Sequence, residues 1–198
     1  MAQAENLSDY VNKGNELAGQ KKYKEAVEEY QKALALSPDN ASVNLLLGLS
    51  YANFGEFKKA LEHIKMSVKK DPSYSSYYHL GLIYSVQSES KKALEAFDKA
   101  QSFNPDSYLL QYQKALAYAY QKKNEKARTA YERAIELNPN FEEARIGLAG
   151  LAEREGDKAL AQKQVEELRT MNRPDLADAL NQWISSGGAS SSTSATKE

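Results

Sequence analysis

Histidine is the side chain best placed to run acid–base or metal chemistry near neutral pH, and this sequence has two, His63 and His79. Neither has a second histidine or a carboxylate at a ligand spacing, so each reads as a residue of a helix surface or groove. The acidic pairs Glu28/Glu29, Glu142/Glu143 and Glu166/Glu167 read as solvated outer faces of helices. Cysteine is absent from the 198 residues, which excludes disulfides, thiolate metal sites and cysteine nucleophiles. No phosphate-cradling glycine loop, nucleophile elbow or zinc-binding helix motif occurs. Catalysis has no support in these residues, and no metal or cofactor is expected. Lysine pairs recur at Lys21/Lys22, Lys58/Lys59, Lys69/Lys70, Lys91/Lys92 and Lys122/Lys123, four of them near turns, where a basic edge would attract nucleic acid or an anionic membrane. Glu25, Glu56, Glu89, Glu95 and Glu125 interleave with them, and Glu28/Lys32 and Glu95/Lys99 have helical i, i+4 spacing. A solvated face is the simpler reading.

The elements that carry these residues repeat. A small-residue column runs Gly14, Gly48, Gly81, Ala115, Ala149, and a second runs Ala26, Ala60, Ala93, Ala127, Ala161, both with steps of 34, 33, 34 and 34. Four residues after each alanine stands Tyr30, Ile64, Phe97, Tyr131 or Val165. Around Gly81, Tyr77, Leu80 and Tyr84 mark one face of a helix, and Ala93, Phe97 and Ala100 mark one face of the next. Small residues let two helix backbones approach, while Pro38, Pro72, Pro105 and Pro139 each stop a second helix. Asn40, Ser73, Ser107 and Asn140 are expected to cap the helix that follows, Asn140 with Glu143 as a capping-box variant.

The pattern Tyr77-x2-Leu80-Gly81-x2-Tyr84, Ala93-x3-Phe97, Pro105 resembles the tetratricopeptide repeat, with Tyr77 where that family often has Trp. The resemblance implies an all-α fold, a right-handed solenoid of five helix-turn-helix units at about 7–40, 41–73, 74–107, 108–141 and 142–173. Pro174 then opens a capping helix, 174–185, with Leu176, Leu180, Trp183 and Ile184 on one stripe. An arm, 1–6, precedes the array, and 186–198, rich in Ser, Gly, Ala and Thr, is expected to be disordered.

In this family the first helix of each pair lines the concave side, where many members carry polar groups. Here the resemblance places Val11, Leu45, Leu49, Tyr78, Leu82, Val86, Tyr112, Leu116 and Tyr120, with Asn15 and His79 as polar exceptions. Two readings follow: extra core between first helices, or an apolar groove that accepts another protein's apolar helix or extended segment. The family's chaperone-tail clamp is incomplete, with Val11, Leu46, Ser75 and His79 where basic or Asn groups belong. A non-catalytic adaptor is expected, self-association being a second form of the same activity. Composition agrees: 41% hydrophobic, 27% charged and net charge −1 describe an ordinary soluble chain, and near-neutrality argues against nucleic acid as the main partner. No run approaches a membrane span. The opening MAQAENLSDY lacks a leader pattern, so a cytoplasmic location is expected, a leader already removed being the other reading.

Overall fold

The computed structural model describes residues 6–187, so the expectations for the N-terminal arm and the C-terminal tail fall almost wholly outside the described residues. Among those residues the protein is all-α, with eleven helices and no strand. The chain divides into two compact units, 1–105 and 106–198. The first holds α1 (Leu7–Gly19), α2 (Tyr23–Leu36), α3 (Ala41–Asn53), α4 (Phe57–Lys70), α5 (Tyr74–Val86) and α6 (Ser90–Phe103). The second holds α7 (Tyr108–Tyr120), α8 (Asn124–Leu137), α9 (Glu142–Glu155), α10 (Lys158–Thr170) and α11 (Pro174–Ser185). Within each unit consecutive helices pack as pairs, and each pair packs on the next.

Side chains cap the first helices. Asn40 accepts from the Val43 amide at 3.0 Å, Ser73 from Ser76 at 3.2 Å and Ser107 from Leu110 at 3.2 Å. Asn6 adds a full capping box with Asp9. The expected Asn140 cap is not formed: α9 starts after Phe141 with no side-chain cap bond. Asn138 takes the Asn140 amide instead, at 3.2 Å, and that local turn shifts the helix start by one residue.

The turn inside every pair closes the same way. Lys21, Gly55, Ser88, Lys122 and Gly156 all have positive φ, between 57° and 92°. The next residue's amide then reaches back to a carbonyl in the last helical turn, as in Glu89 N to Tyr84 O at 2.8 Å and Lys123 N to Tyr118 O at 2.9 Å. This is a Schellman closure, which satisfies carbonyls the helix end would leave free.

The small columns are close-approach sites. A Cβ added at Gly81 would lie 2.3 Å from Phe97 Cε1, and one at Gly14 would lie 2.5 Å from Tyr30 Cε1. Tyr30 and Phe97 are themselves fully buried, as are Ala26, Ala60, Ala93, Ala127 and Ala161. The fourth pair departs from this scheme. Ala115 leaves no room for a ring, and Tyr131 lies instead over Gly147 of the next helix, its Cε1 2.5 Å from where a Cβ would stand.

Three of the pairs, the first, second and fifth, bury polar groups at equivalent positions between their two helices. Asn44 Nδ2 donates to Asn40 O at 3.0 Å and to Pro38 O at 3.4 Å, which leaves its Oδ1 to accept from His63 Nδ1 at 3.0 Å. In the fifth pair Arg145 takes the place of Asn44 and donates to Pro139 O at 3.1 Å and to Gln164 Oε1 at 3.4 Å. In the first pair Glu29 stands where His63 and Gln164 stand. It is only 5% exposed and is held by Lys13 at 3.1 Å and Lys32 at 3.0 Å. The expectation that Glu29 lies on a solvated face is therefore corrected. Burial pushes its carboxyl up, but the hydrogen bonds and charges of Lys32 and Lys13 outweigh that and hold it below the usual carboxylate range.

Candidate protein-binding site

In the first unit, α3 and α5 enclose a chamber of about 330 Å³ on their first-helix face. Leu49, Asn53 and Phe57 form one wall, and His79, Leu82 and Val86 form the other. The helical spacing explains the assembly: Leu49 and Asn53 are one turn apart, as are Leu82 and Val86, and the 33-residue step sets the two rows side by side. Val86 is 57% exposed, so the chamber opens to solvent over an apolar rim. His79 Nδ1 donates to the Ser75 carbonyl at 2.8 Å. Burial pulls its pKa below the ordinary histidine value, more than the Ser75 bond raises it, so the ring is neutral near pH 7.

Of the eleven residues singled out in the sequence, the structure gathers Leu49, His79, Leu82 and Val86 around this chamber. Tyr78 lies beside it in an aromatic cluster, stacked on Tyr74 at 5.5 Å, edge-on to His79 at 5.4 Å and tilted against Phe97 at 6.1 Å. Leu45 and Val11 are half-buried. Asn15 is occupied within its own pair, where its Oδ1 accepts from the Tyr30 hydroxyl at 2.8 Å. In the second unit Tyr112 packs against Phe141 at 5.1 Å and Tyr131 at 6.0 Å, while Leu116 and Tyr120 are 40% and 66% exposed.

A second chamber, of about 440 Å³, lies in the second unit between α9 and α11. Ile146, Gly150 and Arg154 line it from α9, and Leu176, Leu180 and Trp183 from α11. Sequence reasoning missed it, although the signal was there. Ile146 and Gly150 continue the columns of Leu45, Tyr78, Tyr112 and of Leu49, Leu82, Leu116 by the same 34-residue step.

The lysines have a structural role. Lys59 lies over the Tyr51 ring at 5.4 Å, Lys92 over Tyr84 at 5.5 Å and Lys126 over Tyr118 at 5.8 Å. These cation–π contacts recur at the repeat step. Lys59 and Lys92 also pair with Glu56 and Glu89.

Family models described as TPR repeat and tetratricopeptide repeat match residues 14–55, 74–107 and 108–141, together more than half of the chain. The chain belongs to the tetratricopeptide repeat family. Among curated tetratricopeptide relatives, a Hsp70-Hsp90 organizing protein of Triticum aestivum is 27% identical over 48% of this chain and 16% of its own length. Small glutamine-rich tetratricopeptide repeat-containing protein 2 of Saccharomyces cerevisiae is 27% identical over 50% of this chain and 29% of its own length. The chain thus spans less than a third of these relatives. Among solved structures, MamA is similar over 87% of this chain and 96% of its own, at 25% identity and a TM-score of 0.71. A tetratricopeptide repeat protein from Parabacteroides merdae gives a TM-score of 0.80 at 17% identity over 92% of this chain and 73% of its own, a likeness of fold. No helix among the described residues is long and apolar enough to cross a membrane.

Proposed function

We propose that this chain is a non-catalytic protein-interaction scaffold, and that its first unit holds an apolar helix or extended segment of a partner at the α3/α5 chamber. The observation that carries this reading is the solvent-open apolar rim: Val86, more than half exposed, stands one turn from Leu82 and lines the chamber together with Leu49. A side chain entering there is taken out of water on several sides, and each branched apolar group so buried contributes about 1.5 to 3 kcal/mol. His79, neutral and bonded to its own backbone, adds no charge that would repel an apolar guest. The family membership and the name of the wheat relative, which organizes Hsp70 and Hsp90, support protein partners as the class. A cytoplasmic location belongs to the same proposal, and self-association is its variant, with a second copy as the guest.

Crosslinking and affinity capture, run on matched variants, test it. Leu82→Glu with Val86→Glu should abolish capture of the partner that the native chain holds, with the circular dichroism spectrum still helical. Lys91→Glu with Lys92→Glu should leave capture intact, and raised salt should weaken it little. Loss of capture in the lysine variant alone, with a steep salt dependence, would instead point to nucleic acid or an anionic surface.

A further inference from the structure

The α9/α11 chamber differs in chemistry from the one in the first unit. Its apolar walls are Ile146, Leu176, Leu180 and Trp183; Gly147 and Gly150 add no side chain of their own, and the Tyr131 ring lies over Gly147. Two polar groups face this otherwise apolar space. Arg154 is exposed at the rim and makes no ion pair with any described residue. Tyr131 is only 2% exposed, yet its hydroxyl, which lies over Gly147, has no hydrogen-bond partner among the described residues.

The contrast with Tyr30 shows why that hydroxyl has no partner within its own pair. Tyr30 and Tyr131 hold the same position in their pairs, and Tyr30 donates to Asn15. The residue at the place of Asn15 in the fourth pair is Leu116, which has no acceptor to offer, and the ring has turned toward Gly147. The hydroxyl keeps contact with solvent through the chamber, and together with the Arg154 guanidinium it gives an otherwise apolar space two side-chain donors, a charge and polarity pattern that suits an anionic ligand. Burial pushes the Tyr131 pKa up to about 12, so the hydroxyl stays protonated and donates. Arg154 can only donate. Both groups therefore ask for an acceptor. One guanidinium balances the single charge of a carboxylate, whereas a phosphate brings about −1.5 to −2.

We propose that this chamber is a second binding site, which takes an acidic side chain of a partner protein together with a neighbouring apolar side chain. The carboxylate is held by Arg154 and the Tyr131 hydroxyl, and the apolar group lies against Leu176, Leu180 and Trp183. This proposal does not rest on the α3/α5 reading.

Trp183 is the chain's one tryptophan and lines the chamber, so its fluorescence reports occupancy. The probe is a blocked, alanine-rich helical peptide in which one leucine and one glutamate are a helical turn apart, titrated to about 1 mM, the weak end of specific affinities. A saturable emission change is expected. Replacing the peptide's glutamate by glutamine should weaken binding roughly tenfold or more, and Arg154→Gln or Tyr131→Phe in the protein should each do the same. Both substitutions spare the apolar walls, so the helical spectrum should hold. The Leu82→Glu, Val86→Glu protein should bind this probe like the native chain, whatever that variant does to the first site. Absence of any response, equal binding of the glutamine peptide, or indifference to both Arg154→Gln and Tyr131→Phe would overturn the proposal. So would 4-phenylbutyrate binding as tightly as the peptide, which would make the chamber a small-carboxylate site.

Discussion

The Tyr30 hydroxyl donates to Asn15 Oδ1 across 2.8 Å and ties α2 to α1. The bond uses an acceptor that the sequence reading had assigned to a partner. Asn15→Ala should therefore lower stability by about 0.5 to 1.5 kcal/mol, as loss of a part-buried neutral bond does. In the background of Tyr30→Phe, which has already removed the donor, the same substitution should cost less. A double-mutant cycle on thermal or urea unfolding measures the difference.

Gly81→Ala places a methyl group where Phe97 already sits, 2.3 Å from Cε1. Alanine gains about 1 kcal/mol of helix propensity over glycine, but overpacking a well-filled core costs roughly 1 to 3 kcal/mol. The fully buried Phe97 ring has little room to yield, so the clash should win. A lowered melting temperature is expected, and a raised one would mean that the ring has taken the course Tyr131 takes over Gly147.

Ser88 and Lys122 occupy the left-handed turn position that Gly55 and Gly156 fill in other pairs. A non-glycine residue there costs roughly 1 to 2 kcal/mol, part of which glycine returns as unfolded-chain entropy. Ser88→Gly and Lys122→Gly should each stabilise the fold by about 0.5 to 1 kcal/mol, and a net gain of 1 kcal/mol is worth about 2–4 °C in a chain of this size. Differential scanning calorimetry of each variant, and of the pair for additivity, checks this.

Both histidines are held below their ordinary pKa, chiefly by burial. The Glu62 charge opposes this at His63 and the Ser75 carbonyl bond opposes it at His79, each by less. A base in that condition binds fewer protons folded than unfolded, so stability rises with pH across the window between the two pKa values. The contribution is present above about pH 6.5 and is lost as pH falls below that toward the folded values. Acidification from about pH 7.5 to about 5.5, a range in which other side chains change charge little, should lower the melting temperature. His63→Gln with His79→Gln should flatten the dependence.

The all-α class, the repeat family and three of the caps were legible in the sequence because periodicity, proline stops and small residues act locally and recur. The faces of single side chains were less so. Glu29 reads as a surface residue in isolation, and only the approach of Lys13 from α1 explains its burial. Asn15 reads as free until Tyr30 is placed beside it. Tyr78 and Tyr112 fit an open stripe by spacing, yet each has enough ring contacts to count partly as core. The α9/α11 chamber was hidden because Gly147, Gly150 and Arg154 look unlike the leucines and tyrosines that occupy their columns elsewhere, and because it needs α11 as its second wall.

The buried polar groups of the first, second and fifth pairs bear on how such a chain avoids folding wrongly. Repeats that share their apolar columns offer each first helix several nearly equivalent partners, and mispaired hairpins are the characteristic failure of repeat arrays. The columns of alanine and glycine cannot tell α4 from α6 or α8. Asn44 can: set against α6 or α8 it would meet Ala96 or Ala130 in place of His63 and keep an unfilled acceptor. Glu29 set against another first helix would lose Lys13, and Arg145 set against α8 would lose Gln164. Each wrong pairing leaves a buried polar group or a charge without its counterpart, at a cost of about 1 to 3 kcal/mol or more. These buried groups act as an address code, giving hairpins built to one pattern a single correct neighbour.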